Sequence, residues 1–553
     1  MTKILIIGGV AGGASAAARA RRLDEQAEII VFDRGQHISF ANCGLPYHLS
    51  GTIKDRQSLL LQTPRSFKAR FNVDVRINQE VTRINPKQKT IEVTDRTSGK
   101  QYVERYDKLL LSPGATPVKP QIPGFITPKT FSLRSMADMD AILSQINQAN
   151  LNKACVVGAG FIGLEMVEAL VAKGIKVDLI ELAPHVMPGV DAEMAAPLTQ
   201  ELVRHGVNVY TQHQLSQVEY HDGQLKLRLS NDTTLSSDLL ISAVGVKPET
   251  NLASTAGILL GPSGGIKVNG YMQTNIADIY AVGDVVEDSH FVDHKARLVP
   301  LAGPANRQGR IAAENMLGGD VTYNHTQGAA ICKVFDLSIA QVGLTEKQLQ
   351  AEKKPFAKTY VHGPDHAAYY PNATPISFKL LYCPNSETIL GAQAIGAKGV
   401  DKRIDIISVA QRAKLTITAL KDLELCYAPP FGSAKDIVNQ AAFAASNAIN
   451  GSSPVVYPDQ LDPQDPNLQL VDIRNQPEIA KLGTLENSIN IPLDSLRQSL
   501  SLLNKNKTII VICQVGLRGH VATRLLQNLG YQVKNLSGGF KTWSMFGYPI
   551  VNM

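Results

Sequence analysis

Tryptophan occurs once in 553 residues, aromatic side chains make up only 6%, and cysteine is confined to six positions. Those cysteines, at 43, 155, 332, 383, 426 and 513, are scattered. They form no CxxC pair and no metal-ligand spacing, so neither a zinc module nor a disulfide framework is expected. Isolated thiols point to a reducing, cytoplasmic setting. Long hydrophobic runs are also missing. None approaches the roughly 18 residues that span a bilayer, and no membrane insertion is expected. Lys3, the apolar stretch Ile4–Ile7 and the alanines after it imitate a secretion signal. That stretch is too short, however, and Arg19, Arg21 and Arg22 fall where small neutral residues belong. Blocks of like charge are absent, and a net charge of +6 gives nucleic-acid binding little support.

What is present is a chain too long for one core, with an ordinary globular composition. One unit occurs twice. The first copy is the strand Lys3–Ile7, the turn Gly8-Gly9-Val10-Ala11-Gly12-Gly13, an alanine-rich helix, and the strand Glu28–Phe32 ending at Asp33. The second is the strand Ala154–Val157, the turn Gly158-Ala159-Gly160-Phe161-Ile162-Gly163, a helix, and the strand Lys176–Ile180 ending at Glu181. Such a turn lets the backbone approach a pyrophosphate, which then rests on a helix N-terminus. An acid about 20 residues further on can bind a ribose hydroxyl. Two such units predict two dinucleotide sites. The first departs from the pattern in having Val10 where the middle glycine stands.

Three apolar segments break in the same manner: Leu109–Gly114, Leu240–Gly245 and Ile279–Asp284. Val299-Pro300-Leu301-Ala302 opens a helix running through Arg307 and Arg310. Residues ~325–450 alternate strands (Ala329–Phe335, Ser377–Tyr382, Thr388–Ile395) with helices. Residues 451–466, rich in Gly, Ser, Pro and Asp, read as a linker. Residues 467–553 form a last α/β unit.

Two cysteines stand in chemically suggestive places. Cys43 follows the first dinucleotide unit, and Gly44-Leu45-Pro46-Tyr47 reads as a first helical turn, a position that favours the reactive thiolate. Cys513 ends the buried-type strand Thr508–Ile512 and opens a loop to Arg518, with a helix expected over Val521–Leu529. Backbone N–H groups around such a loop, with Arg518 adding charge, stabilise a thiolate or persulfide. Cys155, Cys332 and Cys383, in or beside strands, read as core, and Cys426 as structural.

The paired turns, the Ile279–Asp284 segment, Ser39-Phe40-Ala41-Asn42-Cys43-Gly44 and Tyr427-Ala428-Pro429-Pro430-Phe431-Gly432 resemble the flavin disulfide reductases. The match is to their single-cysteine branch of coenzyme A disulfide reductases, NADH oxidases and NADH peroxidases. His48 stands where the dithiol branch has its second cysteine. Cys513–Arg518, Val471–Arg474 with Glu478, Asn490-Ile491-Pro492, and Ser537-Gly538-Gly539 with Trp543 resemble a rhodanese. Gly483-Thr484-Leu485-Glu486 departs from the usual Gly-His-Ile-Pro. The six residues from Cys513 to Arg518 match sulfurtransferases rather than the longer phosphatase loop. The whole chain is similar to fused coenzyme A disulfide reductase–rhodanese proteins, which include NADH-dependent persulfide reductases.

The resemblance implies an α/β fold with two Rossmann-like dinucleotide-binding domains, an α+β dimerisation domain and a C-terminal α/β rhodanese-like domain. FAD is expected on 1–115 and 247–324, NADH on 116–246, a homodimer contact on 325–450, and sulfur carriage on 467–553. The implied flavin residues are Gly8, Gly13, Asp33, Ser112, Gly114 and Asp284, with Leu301 and Ala302 at a helix N-terminus. Those for NADH are Gly158, Gly160, Gly163, Glu181 and Gly245, and Glu181 disfavours a 2′-phosphate. Coenzyme A contacts fall on Ser15, Arg19, Arg22, Ser39, Asn42 and Lys435. Asn306 replaces a histidine that some relatives have on the helix after Val299–Ala302. Tyr369 and Tyr427 match two tyrosines that serve the partner subunit's cysteine.

The implied activity is NADH-driven reduction of coenzyme A persulfide, polysulfide or coenzyme A disulfide through Cys43, with sulfane sulfur carried on Cys513. Two alternatives stay open. One is an NADH oxidase or peroxidase cycling Cys43 through sulfenic acid, although Val10 replaces the peroxidases' histidine. The other is a redox-sensing flavin protein.

Overall fold

The computed structural model describes residues 1–148 and 151–552. It divides into two compact units, residues 1–180 with 213–328, and residues 181–212 with 329–553. Among the described residues no helix is long and apolar enough to cross a membrane.

The first unit begins with β1 (Lys3–Ile7), α1 (Ala11–Leu23), β2 (Glu28–Asp33), α2 (Leu45–Ser50), β3 (Asp74–Ile77) and β4 (Lys108–Leu111). It continues through β5 (Lys153–Val157), α3 (Phe161–Ala172), β6 (Lys176–Glu181) and β7 (Leu239–Ser242), and returns with β8 (Ile279–Ala281) and α4 (Ala302–Met316). One parallel sheet runs β8-β4-β1-β2-β3, and a second places β5 between β6 and β7. Both central strands are apolar on both faces, as strands covered by helices must be: Ile4–Ile7 and Ala154–Val157 are buried. The repeated turns close alike. A Cβ on Gly13 would lie 1.8 Å from the Gly8 carbonyl oxygen, and one on Gly163 would lie 1.8 Å from that of Gly158, so both positions demand glycine. The middle position does not. Gly160 has a φ of −81° and open space where a Cβ would stand, and Val10 holds the matching helix-capping place at −95°. The Val10 side chain thus stands where the second turn leaves space.

In the second unit β9 (Ala330–Val334), β10 (Leu337–Gly343), β11 (Ala357–Pro364), β12 (Pro375–Tyr382) and β13 (Ile389–Gly396) form an antiparallel sheet in the order β9-β10-β13-β12-β11. Helices α5 (Val400–Arg412) and α6 (Ile437–Ile449) share its core. Lys379 is fully buried, with its ammonium 2.8 Å from Asp191, 2.5 Å from Glu193 and 2.7 Å from Glu346. Three acids and one lysine cannot be buried unpaired, so this cluster ties residues 181–212 to the sheet.

A parallel sheet follows, of β14 (Val455–Val456), β15 (Leu468–Asp472), β16 (Ile489–Asn490), β17 (Thr508–Ile512) and β18 (Val533–Leu536), in the order β14-β18-β17-β15-β16. Helices α7 (Leu517–Asn528) and α8 (Gly539–Met545) flank it. Within 451–466, read from sequence as a linker, β14 pairs with β18. The Tyr457 hydroxyl accepts from Lys358 N at 3.1 Å, and Asp459 pairs with the Lys358 ammonium at 2.8 Å. Helix α7 starts at Leu517, not at Val521, because Gly516 adopts the left-handed conformation and launches it inside the loop.

Candidate active site

Cys43 lies in a short 3₁₀ turn, Asn42–Gly44, just before α2. The residue is open at its edge, yet protein atoms crowd it. Burial is the largest influence on its thiol, followed by the charges of Glu165 and Asp284, and all three push it above the ordinary range. The helix-terminus argument predicted the opposite sign. With six residues α2 has a small dipole, and burial with the two carboxylates outweighs it. Glu165, on α3, is itself pushed up to about 7, chiefly by burial. The Tyr47 hydroxyl, on α2, donates to it at 3.3 Å.

Around the first turn, Asp33 accepts from Gly9 N at 2.9 Å and from Gly35 N at 2.8 Å, so its carboxylate closes over the glycines. Ser112 N donates to Ile7 O at 2.8 Å, and the Ser112 carbonyl packs on Gly8. Gly114 has a φ of 77°, with Arg134 against it. Leu301 and Ala302 form the start of α4, without a side-chain cap. Asp284 is partly buried, its carboxyl pushed up by burial against the opposing charge of Arg134. Among the described residues no group donates a hydrogen bond to it. A desolvated carboxylate with free acceptor capacity beside a glycine turn fits a hydroxyl-bearing dinucleotide.

At the second turn Gly158 N donates to Ile180 O at 2.8 Å, and Gly245 O accepts from Val118 N at 3.0 Å. Glu181 ends β6, where its carboxylate accepts from Ala183 N at 2.7 Å.

Of the residues assigned to coenzyme A, Ser15 and Arg19 lie on α1. The Ser15 hydroxyl donates to Asn306 on α4, and Arg19 pairs with Glu314 at 2.9 Å. Arg22 is exposed, and Ser39 holds a φ of 45°. The Asn42 amide accepts from Arg134 Nη1 at 2.7 Å and donates to Arg134 O at 3.2 Å. Lys435 is exposed in the second unit. Tyr369 and Tyr427, 58 residues apart, meet hydroxyl to hydroxyl at 2.9 Å on an exposed surface. That hydrogen bond raises the Tyr369 phenol.

The second thiol is enclosed. Cys513 is buried, and Gly516 N donates to its sulfur at 3.0 Å. Its carbonyl accepts from Phe540 N at 2.8 Å, and that of Gln514 from Lys541 N at 3.0 Å. Arg518 does not stand as a free charge. It pairs bidentately with Glu478 at 2.7 and 2.6 Å, while Glu478 also caps the helix Gln476–Leu482. Arg474 is fully buried. It binds Asp472 at 2.7 Å and Gln514 at 3.3 Å and covers the Phe540 ring at 4.0 Å. The departure at Thr484 is accommodated, because its hydroxyl donates to Asp472 at 2.7 Å.

Residues 2–309 match the model of the pyridine nucleotide-disulphide oxidoreductases, and 329–438 match that family's dimerisation domain. The chain belongs to this family. Residues 459–546 of this oxidoreductase match the rhodanese-like domain. It is 36% identical over 446 residues to a coenzyme A disulfide reductase of Staphylococcus haemolyticus, covering 80% of this chain and 99% of the relative. The solved structure of reduced Bacillus anthracis CoADR-RHD is 46% identical, spans 98% of both chains and superposes with a TM-score of 0.96. The structure of a NAD-dependent persulfide reductase from A. fulgidus is 34% identical over 98% of this chain and 100% of its own, with a TM-score of 0.92.

Two residues of this oxidoreductase site escaped the sequence reading. Arg134 joins Asn42, Gly114 and Asp284, and Glu165 joins Tyr47 and acts on Cys43. Glu165 lies two residues past Gly163 in the second glycine turn, but only the packing of α2 against α3 gives it a role beside Cys43. Cys155 and Cys332 are buried as expected. Cys383 is half-buried in a turn, its thiol lowered by hydrogen bonds from Ser386 and Asn385 that outweigh burial. Cys426, expected to be structural, is exposed on the loop that carries Tyr427.

Proposed function

We propose that this chain is an FAD- and NADH-dependent reductase of coenzyme A persulfide, polysulfide and coenzyme A disulfide, with Cys43 as the redox sulfur and Cys513 as the carrier of sulfane sulfur. The relatives' names, coenzyme A disulfide reductase and persulfide reductase, support the substrate class. The observation that carries the reading is the contrast between the two thiols, one accessible and one buried with a backbone N–H on its sulfur.

Gly8, Gly13, Asp33, Ser112, Gly114, Asp284, Leu301 and Ala302 would hold FAD, and Gly158, Gly160, Gly163, Glu181 and Gly245 would hold NADH. Bound flavin supplies the electron pair, taken from NADH, that cleaves a disulfide on Cys43. The Cys43 thiolate attacks the inner sulfur of coenzyme A persulfide. The S–S bond breaks, hydrosulfide leaves with the electron pair of that bond, and a Cys43–coenzyme A disulfide forms. Two electrons and one proton then return a Cys43 thiolate and free coenzyme A thiol. With coenzyme A disulfide the first leaving group is the coenzyme A thiolate. His48 supplies no second thiol, so the resolving sulfur is external.

Tyr369 and Tyr427 supply the proton to the leaving thiolate in a second copy of the chain, and the dimerisation domain supports this arrangement. Ser15, Arg19, Arg22, Ser39, Asn42 and Lys435 are assigned to the coenzyme A moiety. Arg19 is already paired with Glu314 and must exchange partners to serve it. The decisive experiment is the acceptor profile of the purified flavoprotein with NADH. Coenzyme A persulfide and polysulfide should be reduced faster than oxygen or peroxide. Faster turnover with oxygen or peroxide would replace this reading by an oxidase or peroxidase.

A further inference from the structure

Lys358, Tyr360 and His362 alternate along β11 and therefore share one face of the strand. In an edge strand such a polar face normally meets water. Here all three side chains are buried, at 2%, 3% and 7% exposure. Each finds a partner: Lys358 with Glu346 and Asp459, Tyr360 with Glu193, and His362 with Thr542. Segment 457–459 and helix α8 thus lie against this sheet within one compact unit.

His362 is the informative member. Its Nδ1 meets Ser377 Oγ at 2.9 Å, and its Nε2 meets Thr542 Oγ1 at 2.8 Å. Burial holds the ring well below its ordinary titration range, so it is a neutral link with one donor and one acceptor. Thr542 lies in the first turn of α8. The same turn binds the sulfur loop through Phe540 N to Cys513 O at 2.8 Å and Lys541 N to Gln514 O at 3.0 Å. The approach is close: a Cβ on Gly539 would stand 2.3 Å from Cys513 O, and one on Gly538 would stand 2.0 Å from Thr542 Oγ1. A shift of α8 would therefore pass directly to the backbone that encloses Cys513.

We infer that His362 is a positioning residue for Cys513, acting through Thr542 and the first turn of α8 on the Cys513–Arg518 loop. The inference rests on the sulfur-carrier reading of Cys513, but it can fail separately. The sulfur-carrying region is not a bead on a free tether. Its reactive loop is registered against the 329–450 sheet by a buried hydrogen bond.

The test uses the full-length holoprotein with Thr542→Val, which removes the hydroxyl at nearly constant volume, and with Thr542→Ser, which retains it. Two rates are measured, alkylation of Cys513 in a Cys43→Ser background and thiosulfate-to-cyanide sulfur transfer. Thr542→Val should change the alkylation rate constant and lower the kcat of transfer by about tenfold, with a smaller effect on KM. Thr542→Ser should restore both. A purely structural defect would lower the amplitude of alkylation and leave its rate constant unchanged, which overturns the inference. An unchanged rate constant at full amplitude overturns it equally. If the wild type transfers no sulfur, the carrier reading fails while the alkylation rates still decide the positioning role. His362→Gln provides a second perturbation of the same link, expected to reproduce Thr542→Val.

Discussion

Cys43 and Cys513 each stand between a strand and a helix, but the chain treats them differently. Around Cys43 it supplies burial, two carboxylates and a six-residue helix, and the thiol is pushed up. Around Cys513 it supplies a backbone N–H to the sulfur, a twelve-residue helix beginning within the loop, and two arginines, each matched to an acid. The first sulfur is left accessible and dependent on what binds beside it. The second is buried, and the Gly516 N–H donates to it. This division suits a redox centre, which must change partners in every cycle, and a carrier, which must keep its cargo between encounters.

The widest way to break the comparison is Cys43→Ser. Reduction of coenzyme A persulfide and disulfide with NADH should fall to background, while electron transfer to an artificial dye continues. Persistent sulfur reduction would move the redox centre elsewhere. Cys513→Ser should act on the other half only. Thiosulfate-to-cyanide transfer should disappear, and NADH-driven reduction of coenzyme A persulfide should keep most of its rate. If both activities survive, the C-terminal sheet docks a partner and carries no sulfur.

The setting of these two cysteines in the fold was legible in the sequence because local pattern marks it. Each lies shortly before a helix, and Gly13 and Gly163 in the two repeated turns are forced by carbonyls only five residues away, those of Gly8 and Gly158. What stayed hidden depends on distant parts of the chain. Residues 451–466 have the composition of a linker, yet β14 gains order from β18, some eighty residues on. The burial of Lys358, Tyr360 and His362 likewise depends on segment 457–459 and on α8, far along the chain. Arg134 and Glu165 carry no motif of their own near Cys43, and only the packing of the first unit brings their charges to the site. The helix-terminus argument for Cys43 failed for the same reason: it counted the local dipole and could not count the burial of the thiol or the carboxylates from elsewhere.

The smallest expected effect is the sharpest test of that last point. Glu165 is held up to about 7 by burial, with the Tyr47 hydrogen bond opposing and Glu168 adding to the rise. Well below neutrality it is uncharged and leaves Cys43 alone. As pH rises through about 7 it ionises and pushes the Cys43 thiol higher, just where a free thiol would begin to lose its proton. Alkylation of Cys43, followed in a Cys513→Ser background, should therefore climb less steeply than one titrating thiol requires. Glu165→Gln should react severalfold faster than the wild type near pH 8 and at the same rate near pH 5. Stability gives an independent reading with a defined sign. An acid whose folded-state pKa is raised stabilises the fold below its unfolded value, near 4.3, and loses that contribution as pH climbs through about 7. The Tm of Glu165→Gln relative to the wild type should accordingly rise between about pH 5 and pH 8. Parallel alkylation profiles together with a pH-independent Tm difference would show that Glu165 does not act on Cys43, leaving burial and Asp284 to raise its thiol.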